Sequence, residues 1–135
     1  MKQYSIFISH SWAYNDEYDR LIELLDRDPF FHFKDYSVPK NDPIHNAPNT
    51  QLLTEAIERQ MRFCDVVIIL AGVYSTYSKW IDREIALAQG YNPPKPILAI
   101  EPFGSERTST KVKDNAKKIV KWSTSSIVDG IRELA

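Results

Sequence analysis

Asp65-Val66-Val67-Ile68-Ile69-Leu70 is the stretch on which the fold turns. Five apolar residues in a row do not suit a half-exposed strand, whose two faces alternate with a period of two. They suit a central strand of a parallel sheet, covered by helices on both sides. C-terminal to it, Ala71 to Tyr77 reads as a turn-rich loop. A helical pattern then runs from about Ser78 to Gln89, with Ile81, Ile85 and Ala88 on its inner face and Gly90 as its stop. N-terminal to it, Leu53, Ala56, Ile57 and Met61 give another helix its apolar side, and Asn49 or Thr50 can cap that helix.

The same alternation extends to both ends of the chain. Tyr4-Ser5-Ile6-Phe7-Ile8-Ser9 is a β-branched and aromatic run that reads as a first strand, and His10 to Asn15 is a polar loop. Tyr18, Leu21, Ile22 and Leu25 fall at i, i+3, i+4 and i+7, one stripe of an amphipathic helix that Asp28-Pro29 ends. A short second strand is expected around Phe31 to Phe33. Pro39 to Asn49, with three prolines and three asparagines in eleven residues, is a long loop of the kind that often carries function. Asn92-Pro93-Pro94 is a rigid connector to the buried strand Ile97-Leu98-Ala99-Ile100. Phe103 to Thr110 reads as a second flexible loop and Ile119 to Trp122 as a last strand. Ser126 and Asp129 would box the start of a final helix whose inner side is Ile127, Ile131 and Leu134.

The predicted order is β-α-β-α-β-α-β-loop-β-α, which implies an α/β fold with right-handed crossovers and helices on both faces of a parallel sheet. In such sheets ligands bind beyond the carboxyl ends of the strands, where the strand order reverses. With the order 2-1-3-4-5 the cleft lies between strands one and three. Its rim is then Ser9 to Trp12 and Ala71 to Tyr77, with Trp80 and Glu84 from the following helix.

The totals are those of one ordinary globular domain spanning residues 1–135, 43% hydrophobic and 26% charged. A formal net charge of −1 offers no overall field for nucleic acid or an anionic membrane. The single cysteine, Cys64, allows no intrachain disulfide and suits a reducing compartment. The N-terminus lacks the apolar core of a signal peptide. No apolar stretch approaches the ~18 residues needed to span a bilayer. The expected address is cytoplasmic. His10, His32, His45 and Cys64 have no metal-ligand spacing. No phosphate loop and no Gly-x-Ser-x-Gly elbow appears. The lysines 111, 113, 117, 118 and 121 read as a solvated face rather than a nucleic-acid site.

Two motifs resemble those of TIR domains. Tyr4-Ser5-Ile6-Phe7-Ile8-Ser9-His10-Ser11 is similar to that family's first box, and Ser78-Lys79-Trp80-Ile81-Asp82-Arg83-Glu84 resembles its Ser-x-Trp-Cys-x-x-Glu pattern. Each stands at the element where the family has it. The nearest resemblance is to short prokaryotic TIR-like proteins, including those of the Thoeris anti-phage system. Ile81 departs from the pattern, standing where many members carry cysteine.

The resemblance implies a single-domain flavodoxin-like/TIR fold with about five strands. It also implies an NAD-cleaving enzyme in which NAD is the substrate and no cofactor or metal is used. Glu84 takes the catalytic place, and Ser9, His10, Ser11, Trp12, Ser75, Ser78 and Trp80 line the substrate. The product would be ADP-ribose or a cyclic isomer, serving in anti-phage defence as a nucleotide signal read by a downstream effector. The chemistry fits a carboxylate. Nicotinamide leaves as a neutral base, and the ribose is left with oxocarbenium-like charge that an anion can stabilise.

Plainer readings stand beside these. A mid-helix glutamate is ordinarily a solvated surface residue, although the stripe that Glu84 shares with Trp80, flanking Ile81 and Ile85, places it near the sheet's rim rather than in open solvent. Trp80 is core or a wall of the cleft. Ser78 is a helix cap or a ribose ligand. Trp12, Tyr14, Tyr74 and Tyr77 form an aromatic wall or a partner surface. The rival function is a non-catalytic module that works by TIR–TIR self-association. A phosphate-receiver reading lacks its acidic pair after the first strand, which ends Ser9-His10-Ser11.

Overall fold

The computed structural model of the chain describes residues 3–9, 15–36, 50–70, 80–101 and 110–135. Strands β1 (Gln3–Ser9), β2 (His32–Asp35), β3 (Val66–Leu70), β4 (Ile97–Ile100) and β5 (Lys118–Val120) form one sheet. Helices α1 (Asn15–Asp26), α2 (Thr50–Met61), α3 (Trp80–Gly90), α4 (Thr110–Asn115) and α5 (Thr124–Leu134) alternate with them. The strand order is β2-β1-β3-β4-β5, and every pairing is parallel. This is the expected single-sheet α/β architecture, with the order reversing at β1.

The all-apolar strands sit where their composition requires. All five residues of β3 and all four of β4 are buried. Their side chains alternate between two cores. One core joins Ile6, Ile8, Ile68 and Leu98 to Leu21 and Leu25 of α1 and to Ile127 and Ile131 of α5. The other joins Phe7, Val67, Ile69 and Ala99 to Ile57 and Met61 of α2, Ile85 and Ala88 of α3, and Val112 of α4. Burial on both faces is why these strands carry no polar residue.

The structure corrects the boundaries at the weakly patterned places. β2 is His32–Asp35 rather than a strand around Phe31–Phe33. Phe31 stops short of the ladder, its N–H donating to the Asp28 carbonyl at 3.2 Å in the preceding turn, while its ring stacks on Tyr4 at 5.4 Å and on Phe33 at 5.8 Å. The lysine-rich segment before β5 begins with a helix, α4, which is six residues long and buries Val112. That is too short for a periodic signal to show. β5 is Lys118–Val120 rather than Ile119–Trp122. The chain leaves it because Ser123, in extended conformation, caps α5 by accepting from the Ser126 N–H at 3.2 Å. Ser126 is therefore inside the first turn and is not the cap. Of these lysines, Lys117 and Lys121 are exposed, Lys113 lies 3.9 Å from Glu101, and Lys118 bonds Glu133.

Candidate active site

Ser9 is the last residue of β1 and is in register with Ile69 of β3. Two residues from Phe7, it projects to the same side of the sheet, the side covered by α2, α3 and α4. β2 ends at Asp35, in register with Ile6, so β1 runs on beyond it. This is the reversal point, where ligands of open α/β sheets bind.

From above that side, α3 brings Glu84. The spacing 84, 85, 88 is i, i+1, i+4 on one helical stripe, and all three residues are buried: Glu84 3% exposed, Ile85 5% and Ala88 0%. The reading that placed Glu84 on a stripe flanking the buried one is thus corrected. Glu84 belongs to the buried stripe itself. The signal was present, since positions 81, 84, 85 and 88 follow i, i+3, i+4, i+7. A charge at such a position is easily discounted as surface.

The electrostatics follow from burial. Desolvation pushes the Glu84 carboxyl from its ordinary value of 4.5 up to about 7, and the Ser9 hydroxyl beside it pulls the other way. No charged side chain among the described residues contributes. Arg83, next in sequence, donates through Nη1 to Thr54 Oγ1 at 2.8 Å and so ties α3 to α2. Neither Ser9 Oγ nor Glu84 Oε2 has a hydrogen-bond partner of good geometry. The hydroxyl is near enough to favour the carboxylate, but the bond is not formed. Two unpartnered buried polar groups beside the carboxyl end of β1 call for a partner, which a ligand can supply.

Of the other expected site residues, Trp80 opens α3, though its side chain is not among those described. His10, Ser11, Trp12, Ser75 and Ser78 lie outside the described residues, as do the 39–49 and 71–77 loops. The structure brings Ser9 and Glu84 together. Sequence reasoning missed the Arg83–Thr54 strut, which no local pattern announces. Among the described residues no cluster of three or more His, Cys, Asp or Glu could hold a metal ion, and no helix is long and apolar enough to cross a membrane. Cys64 is buried, and desolvation raises its thiol to about 12, as expected of an inert core cysteine.

A family model described as Thoeris protein ThsB, TIR-like domain, matches residues 7–107. No curated protein sequence matches the chain. Among solved structures, that of the Clostridium botulinum CMP N-glycosidase BcmB superposes with a TM-score of 0.49 at 13% identity, covering 96% of this chain and 98% of that one.

Proposed function

This chain belongs to the family of the Thoeris ThsB TIR-like domain, and from that premise we propose that it cleaves the nicotinamide–ribose bond of NAD at Glu84. The observation that carries the reading is Glu84 itself: a carboxyl 3% exposed, facing the end of β1 at the reversal point, with Oε2 unpartnered. A buried acid with no counter-charge among the described residues is costly to keep, and such perturbed groups cluster at functional sites.

NAD supplies what the site lacks. Its nicotinamide is a cationic pyridinium, so its arrival favours the ionised carboxylate. As the N-glycosidic bond breaks, nicotinamide takes both bonding electrons and leaves neutral. The positive charge passes to the ribose, where Glu84 stabilises it through space and through the ribose hydroxyls. Low dielectric around the carboxylate strengthens that attraction. Water at the anomeric carbon gives ADP-ribose plus a proton, whereas attack by a nucleophile within the same molecule gives a cyclic isomer. In a Thoeris setting the product serves as a nucleotide signal for a separate effector in anti-phage defence, and assembly of TIR domains completes the cleft.

The test is nicotinamide release by the wild-type protein and by Glu84→Gln, with nucleotide products resolved by mass spectrometry. Assays at high protein concentration and with lysate of phage-infected cells cover an enzyme that needs assembly or a trigger. The expected result is a loss of roughly a hundredfold or more in the variant. Equal release by both proteins defeats the proposal. No release from folded protein under any condition favours a purely self-associating module.

A further inference from the structure

We propose that Ser9 is the positioning residue of this site, its hydroxyl donating to the Glu84 carboxylate so that the acid stands ionised and aimed when substrate arrives. The inference rests on Glu84 being the reacting carboxylate, and it assigns Ser9 to Glu84 rather than to the substrate.

Among the described residues, Ser9 and Glu84 are the two polar side chains in the buried set, 1% and 3% exposed. They come from elements 75 positions apart in the chain (84 − 9), and they meet at the end of the sheet. Every other buried residue of β1, β3 and β4 is apolar. A hydroxyl left unpartnered in such a wall costs about 1–3 kcal/mol. Ser9 Oγ does not offset that by turning back to a backbone carbonyl, because it has no partner at all. The group it faces is the carboxyl, and its presence favours the anion.

Among the described residues, the surroundings leave this task to Ser9. On the same side of the sheet, β3 and β4 contribute apolar side chains alone. α2 carries Glu55, Glu58 and Arg59, all exposed. α4 carries Lys113, which pairs with Glu101, and the exposed Asp114. On α3 itself Arg83 is tied to Thr54. With no cation acting among these groups, the Ser9 hydroxyl is the one group among the described residues that favours the carboxylate before substrate binds.

The experiment is a carbon-13 NMR titration of glutamate side-chain carboxyls in wild type, Ser9→Ala and Ser9→Thr, with Glu84 identified as the resonance missing from Glu84→Gln. The Glu84 midpoint in Ser9→Ala is expected to rise by roughly one unit, the size of one hydrogen bond to a charged group. Ser9→Thr, which keeps the hydroxyl, is expected to restore it. In turnover of NAD, kcat/KM of Ser9→Ala should fall about fivefold near pH 7 and rejoin wild type by pH 9. An unmoved midpoint in Ser9→Ala overturns the proposal. So does a pH-independent rise in KM, which would place the hydroxyl on the substrate. A shifted midpoint in a protein that turns over no NAD upholds Ser9 and defeats only the NAD reading.

Discussion

Ser9 at the end of β1 and Glu84 in the second turn of α3 face each other across the sheet's reversal point, and the pair is incomplete: Ser9 Oγ and Glu84 Oε2 are both buried and both without a hydrogen-bond partner. The relationship is one of stored cost. The carboxyl is held in a place that disfavours its charge, beside the one group among the described residues that favours it. Such a site is stabilised by whatever ligand satisfies both atoms, and the consequences of the cost are measurable in the free protein.

Stability should fall as pH rises through the titration of Glu84. Its folded-state pKa is raised from 4.5 to about 7, so the protonated form is the one the fold prefers. The penalty is absent below the unfolded value, grows from about pH 4.5 and is complete above about pH 7. Urea unfolding of wild type and Glu84→Gln at pH 5 and pH 8 should show the variant gaining about 2–3 kcal/mol on wild type between the two. Parallel curves would mean that Glu84 is not desolvated in the folded protein.

Turnover of NAD should share that ionisation. If Glu84 works as the proposed anion, kcat/KM is expected to rise with pH through an apparent pKa of about 7. The rate at pH 6 should be about tenfold below its plateau above pH 8. A flat profile from pH 6 to 9 would remove Glu84's ionisation from the rate.

Cys64 should be silent towards thiol reagents in the native state. It is 4% exposed and its thiol is pushed up to about 12, chiefly by burial. At pH 8 the thiolate is then on the order of one part in ten thousand. Titration with a chromogenic disulfide should give no fast reaction in buffer and one equivalent in denaturant. Rapid native reaction would show the thiol open to solvent.

Gly130 marks the closest approach of α5 to the sheet. A Cβ there would lie 3.1 Å from Leu98 Cδ1 and 3.3 Å from Val120 Cγ1. Gly130→Ala sets this crowding against a helix-propensity gain of about 1 kcal/mol and should be nearly neutral. Gly130→Leu must displace both neighbours and should cost about 1–3 kcal/mol in urea unfolding. A neutral leucine variant would show slack between α5 and the sheet.

Long, strongly patterned segments were legible from the chain. Val66 to Leu70 and Ile97 to Ile100 read as buried strands because no half-exposed strand tolerates unbroken apolar runs. Tyr18, Leu21 and Leu25 marked the inner side of α1 by their spacing. Short segments were not legible. β5 has three residues and α4 six, too few for a period to rise above composition. Lys118 and Ile119, the latter exposed, gave β5 no alternation to follow. The start of α5 went to Ser123 rather than Ser126 because a cap depends on backbone conformation, which both serines permit in the sequence and one adopts in space.

By itself the sequence determined the order of elements, the two-sided burial of β3 and β4, and the motifs that single out Glu84. These are local properties, carried by periodicity and residue type within a few turns of chain. Only the tertiary structure decided that Glu84 is buried rather than solvated, and that Ser9 is the residue facing it. The desolvation that shifts an acid, and the hydroxyl that opposes the shift, come from surfaces brought together by β1 and α3, and chain position alone does not specify that meeting.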